Sequence, residues 1–273
     1  MRSFILLVVF LSFTAQSHET ISRADIGEFY IEYQSKGDSD FVILLETGSG
    51  GDLHRWDNIF DDLANLGHTI RYTRVGNENP SQLKRQFSAE EYSAHLDAFL
   101  TTLNISKPIV VISHSYGALI TRMFAANFPE RVAGMLLIDP NTEADNDIMR
   151  SINLEEANRE IAGWIEQGSK NGMANDFLDF WARRHMPGYP QIKDIPVTVL
   201  ISSKKYEPTP HIFFTDEGRA KKAKWHKDWV SNFPQGKAIV TTQSGHSIDL
   251  TEPELVFNEL KIIINTLKMS LQQ

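Results

Sequence analysis

The chain has 273 residues, 41% of them hydrophobic and 23% charged, with 16 Gly, 11 Pro and a formal net charge of -8. This composition excludes a disordered or low-complexity chain, and the acidic balance excludes the basic face that a nucleic-acid binder needs. Because cysteine is absent, disulfide scaffolds, thiolate-held zinc, iron–sulfur clusters and thiol nucleophiles fall away, and serine, carboxylate, histidine or lysine chemistry remains.

Arg2 precedes an apolar run from Phe4 to Phe13 that only Ser12 interrupts. Its length is about half of the ~20 residues a membrane-spanning helix requires. Ala15-Gln16-Ser17 sets small residues at the −3 and −1 positions of a cleavage site. Residues 1–17 are therefore expected to be a cleavable signal peptide, and the mature chain to be exported, periplasmic or secreted, with no membrane span.

Short apolar runs then alternate with helical patterns, the signature of a βαβ sheet. Phe29 to Tyr33 alternates apolar and polar residues and reads as a half-exposed strand, while Phe41 to Leu45 is continuously apolar, as a strand buried on both faces would be. A Gly-rich loop, Thr47-Gly48-Ser49-Gly50-Gly51, follows it. Trp56 to Leu66 has helical spacing, and Thr69 to Tyr72 is the next strand. Ser88 and Glu91 form a capping box opening a helix through Leu96 and Leu100. Pro108 to Ile112 and Val132 to Ile138 are buried strands on either side of a helix through Ile120 and Phe124. From Asn141 to Asp194 the pattern is helical and polar. Pro196 to Ile201 returns to strand, a helix runs through Trp225 and Trp229, and Ala238 to Thr242 is the last strand. Thr251, Pro253 and Glu254 predict a second capping box and a C-terminal helix to about Met269. The expected fold is α/β, a mostly parallel doubly wound sheet. Residues 18–140 and 195–273 would form its core, and 141–194 a helical cap inserted after the strand ending at Ile138.

Chemistry concentrates at Ser113-His114-Ser115-Tyr116-Gly117, a strand–turn–helix with Ser115 at its apex. The small residues suit a strand and helix that approach closely, and the helix N-terminus beneath Ser115 favours developing negative charge. The segment resembles the nucleophile elbow G-x-S-x-G of the α/β-hydrolase family. It departs at Ser113, which replaces the first glycine, and at Ala118, where a further glycine is common. The resemblance extends over most of the mature chain. It implies that the loop after Leu45 is the oxyanion loop, here with Thr47-Gly48 where many members have His-Gly, and that Ser49 and Tyr116 supply the backbone donors. A simple tight turn is the other reading of that loop. The resemblance also implies that His246, in Ser244-Gly245-His246-Ser247 after the last strand, is the base that takes the Ser115 proton. His114 is a poor base, since neighbours at a strand end point to different sides. The remaining histidines show no metal-ligand spacing and read as surface or cap residues, so no metal and no cofactor is expected.

Two positions compete for the acid. The commoner family position, after the penultimate strand, offers Glu207 as the only nearby carboxylate before Asp216. The other, as in haloalkane dehalogenases, directly follows the strand after the nucleophile helix and offers Asp139, at the strand edge where ligand sites of open α/β sheets gather. The implied activity is that of an exported serine hydrolase acting on a small-molecule acyl substrate, a carboxylic ester before a thioester or amide. C–C hydrolysis, peroxidase-type chemistry, or a non-catalytic binding protein on the same scaffold are the alternatives. Trp164, Phe177 and Trp181 either line the pocket or anchor the cap. Arg183-Arg184-His185 favours an anionic group or is a solvated face, and Lys221-Lys222-Ala223-Lys224 needs no partner. Oligomeric state is not readable.

Overall fold

The computed structural model describes residues 20–77, 87–170 and 191–271. The expected signal peptide, Phe177, Trp181 and Arg183-Arg184-His185 lie outside these residues. Eight strands form one sheet: β1 Ser22–Asp25, β2 Tyr30–Lys36, β3 Val42–Glu46, β4 His68–Tyr72, β5 Ile109–His114, β6 Val132–Ile138, β7 Val197–Ser202 and β8 Gly236–Thr241. Their spatial order is β1-β2-β4-β3-β5-β6-β7-β8. Pairing is antiparallel from β1 to β2 and from β2 to β4, and parallel from β4 onward.

The pleat divides each central strand between two cores. On β5, Ile109 and Val111 join one cluster while Val110 and Ile112 join the other. The first cluster is closed by Leu96 and Phe99 of α2 (Ala89–Thr102) and by Leu119, Ile120 and Phe124 of α3 (Gly117–Asn127). The second is closed by Phe60 and Leu63 of α1 (Phe60–Ala64) and by Val256, Leu260 and Ile263 of the C-terminal helix Pro253–Leu271. Helices therefore cover both faces, which explains why β3, β5 and β7 are buried along their whole length.

A third, smaller cluster of Met149, Ala157, Ile161 and Ile212 joins helices α4 (Asp145–Ile152) and α5 (Leu154–Lys170) to a short turn, Ile212–Phe214, ahead of α6 (Asp216–Val230). Among the described residues no helix is long and apolar enough to cross a membrane.

Three local expectations need correction. Trp56 to Leu66 is not one helix: a 3-10 turn, Leu53–Trp56, precedes the five-residue α1. β1 went unread because its sequence, Ser-Arg-Ala-Asp, carries one apolar residue, as a polar sheet edge allows. Thr251 does not open the C-terminal helix. It ends a separate turn, α7 (Ile248–Thr251), and donates its hydroxyl to Ser244 Oγ at 2.5 Å and to the Ser247 carbonyl at 3.1 Å. The box at Ser88 does form, with Ser88 and Glu91 each bonding the other's backbone N–H.

Candidate active site

Only Ser115 and Tyr116 separate β5 from α3, so the chain reverses within two residues. Ser115 accordingly has φ 54, a left-handed conformation that few non-glycine residues adopt. The corner is tight at Gly117, where a Cβ would lie 2.4 Å from the Thr47 carbonyl oxygen. Ser113 stands where the motif has glycine, and Thr121, on the helix behind it, donates to its hydroxyl at 3.1 Å. The Ser115 hydroxyl projects from this corner into a cavity of about 450 Å³. There it donates to Asn141 Oδ1 at 2.9 Å.

Asp139 follows β6, also left-handed at φ 39, with its backbone N–H held by the Leu200 carbonyl at 2.7 Å. His246 lies on the loop between β8 and α7. Asp139 Oδ2 is 2.6 Å from His246 Nδ1. A carboxylate accepts, so Nδ1 carries the hydrogen and Nε2 is left as the accepting nitrogen. The other oxygen, Oδ1, receives the Ser202 N–H at 2.9 Å and Lys222 Nζ at 2.7 Å. Burial pushes the Asp139 carboxyl upward, but the Lys222 ammonium and His246 outweigh it and hold the group well below the usual carboxylate range. The loop bearing His246 is tied from beneath, where Ser202 Oγ donates to the Ser244 carbonyl at 2.8 Å. Ser115, Asp139 and His246 all line the one cavity. Glu207 is exposed and does not line it, and the exposed Asp216 pairs with Arg219 and with Lys205. The carboxylate beside His246 is therefore Asp139.

The loop after β3 presses against the corner: a Cβ on Gly48 would sit 3.1 Å from Ser115 Cβ. Its orientation is set by Arg74, buried behind it, which donates to the Thr47 and Gly48 carbonyls, each at 2.6 Å. Arg74 is in turn paired with the fully buried Glu46, which also receives the Tyr72 hydroxyl. In a trans peptide the C=O and the following N–H point in opposite directions. Gripping the Gly48 carbonyl therefore turns the Ser49 N–H away from Arg74, and Ser49 is among the residues lining the cavity. Tyr116 caps α3, where backbone N–H groups lack intrahelical acceptors, and its ring is fully buried.

Residues 42–246 match the family model of the alpha/beta hydrolase fold. The chain belongs to that family. By sequence, this α/β-hydrolase-fold chain is 30% identical over 105 residues to the uncharacterized protein YqjL of Bacillus subtilis (strain 168), covering 38% of this chain and 42% of that protein. Matched stretches take in from 22% to 42% of the curated relatives' own lengths. By structure it is similar to a probable hydrolytic enzyme of Pseudomonas aeruginosa PAO1, with TM-score 0.64, 17% identity and coverage of 89% of this chain and 93% of the other. It is also similar to a thermophilic esterase of Thermogutta terrifontis, with TM-score 0.60, 17% identity and coverage of 90% and 98%. At such identities the likeness is one of fold.

The sequence did not point to every group lining this α/β-hydrolase cavity. His114 does not turn away: it lines the same cavity and its ring is 4.5 Å from that of His246. Burial, with His246 and Arg55 adding to it, pushes its pKa well below the ordinary value, so the ring is neutral and its Nε2–H donates to the His246 carbonyl at 3.0 Å. His226 is not a surface residue. It is buried under Asp139, with its Nε2–H on the Pro140 carbonyl at 3.2 Å, and burial pushes its pKa down to about 3. Lys222, in a basic run that was read as needing no partner, turns inward onto Asp139. Asn141, which takes the Ser115 hydroxyl, is itself oriented by Asp145, to which its Nδ2 donates at 2.8 Å. Helical periodicity cannot single out one lysine of three or one asparagine after a strand. The apolar wall comprises Met149, Trp164, Phe213 and Phe214. Trp164 both lines the cavity and packs on the third cluster, so neither reading of it was exclusive. Among the described residues no group of three or more His, Asp or Glu side chains is placed to hold a metal ion.

Proposed function

We propose that this chain is an exported serine hydrolase that cleaves a carboxylic ester through an acyl-enzyme, with Ser115 as nucleophile, His246 as base and Asp139 as acid. The observation that carries the reading is the His246 Nδ1–Asp139 Oδ2 bond at 2.6 Å, which leaves Nε2 as an acceptor in the cavity that holds the strained Ser115. In the attack, the Ser115 hydroxyl turns from Asn141 to His246 Nε2, its proton passes to the imidazole, and Oγ bonds the carbonyl carbon. The charge on the carbonyl oxygen is met by the N–H groups of Ser49 and Tyr116. Collapse expels the alcohol, which takes the proton from His246. Water activated by the same nitrogen then releases the acid and restores Ser115.

The wall of Met149, Trp164, Phe213 and Phe214 supports an apolar acyl or alcohol group. The charges around the cavity are matched within the protein, Lys222 by Asp139 and Arg55 by Asp249. This favours a neutral ester over an anionic one.

A fluorophosphonate probe should label Ser115, and the protein should hydrolyse a short-chain nitrophenyl ester. Ser115→Ala should lose both while melting as the parent does. Folded protein that neither labels nor turns over any ester overturns the proposal in favour of a binding protein on this scaffold.

A further inference from the structure

We infer that Lys222 is a positioning residue that weakens His246 as a base by sharing the Asp139 carboxylate with it, an inference that rests on the roles proposed above. Lys222 lies on α6 and bonds the Asp139 oxygen that the imidazole does not, with its side chain only 9% exposed. Its ammonium is 2.7 Å from Oδ1 and the imidazole is 2.6 Å from Oδ2. A single negative charge therefore faces two cationic partners when His246 takes a proton. An acid paired only with histidine lends its whole charge to the imidazolium. Here the pair Asp139–Lys222 is neutral before the proton arrives, so the imidazolium gains less from the carboxylate.

The other groups around the ring do not supply this effect. His114, at the end of β5, is neutral and spends its donor on the His246 carbonyl. Arg55, in the turn before α1, is matched by Asp249, next to the His246 loop, with bonds of 2.5 and 2.7 Å. Tyr206, after β7, abuts Gly245, where a Cβ would lie 2.3 Å from its hydroxyl. Asp145, fed by Asn141 and Thr142, is pushed upward by burial. Lys222 is the cation bonded directly to the acid.

The magnitude follows from unit charges on opposite sides of one carboxylate at an effective dielectric of about 20, which shifts a titration by about one to two pH units. In Lys222→Met, the acid limb of kcat/KM should move up by about that amount. The imidazole nitrogen-15 titration midpoint of His246 should move with it. Lys222→Arg keeps the charge and should leave both near the parent. Lys222→Gln keeps length and a donor while removing the charge, and gives the same reading if the methionine variant does not fold. A merely structural lysine would lower stability without moving either midpoint. Folded Met or Gln variants whose midpoints stay within about 0.3 pH unit of the parent overturn the inference. A midpoint that moves in a protein without ester turnover supports the coupling and counts against the hydrolase reading alone.

Discussion

Asp139→Asn removes one charge at nearly constant volume and tests the acid twice, through activity and through stability. The parent carboxylate accepts from the Ser202 N–H at 2.9 Å, Lys222 at 2.7 Å and His246 Nδ1 at 2.6 Å. An amide has one accepting oxygen. If that oxygen stays with Ser202 and Lys222, the NH₂ faces His246 Nδ1, which must then lack its hydrogen. The proton moves to Nε2, the nitrogen that has to accept from Ser115, and kcat should fall by about 10⁴. The substitution also leaves Lys222 buried without its counter-charge, a loss of about 3–5 kcal/mol, or roughly 6–20 °C in Tm for a chain of this size. Burial raises the Asp139 carboxyl, but Lys222 and His246 hold it well below its ordinary value. A depressed folded value contributes stability that is present above the unfolded value of about 3.9 and is lost as pH falls through the folded one. The gap between parent and variant should therefore be widest near pH 7 and narrow below about pH 4. Nitrophenyl ester turnover and thermal melts at pH 7 and pH 3 measure all three. A variant within tenfold of the parent in kcat and equal to it in Tm refutes the assignment of Asp139. A gap that does not narrow at low pH refutes the role of its charge.

Gly117→Ala should cost about 1–3 kcal/mol or more, because the new methyl would meet the Thr47 carbonyl at 2.4 Å and Glu46 Cγ at 2.8 Å. A variant melting with the parent would show that strand and helix do not approach so closely. Export predicts that the chain recovered from outside the cytoplasm begins at His18. Intact mass or N-terminal sequencing that finds Met1 retained would rule out cleavage after Ser17.

The central parallel strands were legible because burial on both faces writes them as largely apolar runs: Val132 to Ile138 matches β6 at both ends. β1 and the division at Trp56 were not, since an edge strand needs little apolar surface and a four-residue 3-10 turn is too short for its period to be told from that of an α-helix. At the site, the strand–turn–helix context singled out Ser115 and the family resemblance singled out His246, and the structure brings both to one cavity. The choice between Asp139 and Glu207 could not be read, because it depends on which strand end faces the His246 loop. The inward turn of Lys222 was likewise invisible. One position along α6 separates it from Lys221, which instead reaches Ser151 on α4.

The left-handed conformations of Ser115 and Asp139 help bring the groups of the site together. Ser115 and Asp139 end adjacent parallel strands, β5 and β6, and each holds a conformation that costs of order 1–3 kcal/mol. Backbone bonds lace these ends together and offset that cost. The Ser115 N–H meets the Ile138 carbonyl at 3.1 Å, the Asn141 N–H meets the Ser115 carbonyl at 3.1 Å, and the Asp139 N–H meets the Leu200 carbonyl at 2.7 Å. Ser115, its partner Asn141 and Asp139 are thus tied to the ends of a sheet whose core strands are buried, which is a stiffer mount than a loop. His246 alone comes from a loop, and it is held there by Asp139 through its ring and by His114 through its carbonyl. Strain at the two corners and polar ties at the loop are therefore parts of one arrangement. Relaxing either corner would move the hydroxyl or the carboxylate by more than a hydrogen bond tolerates.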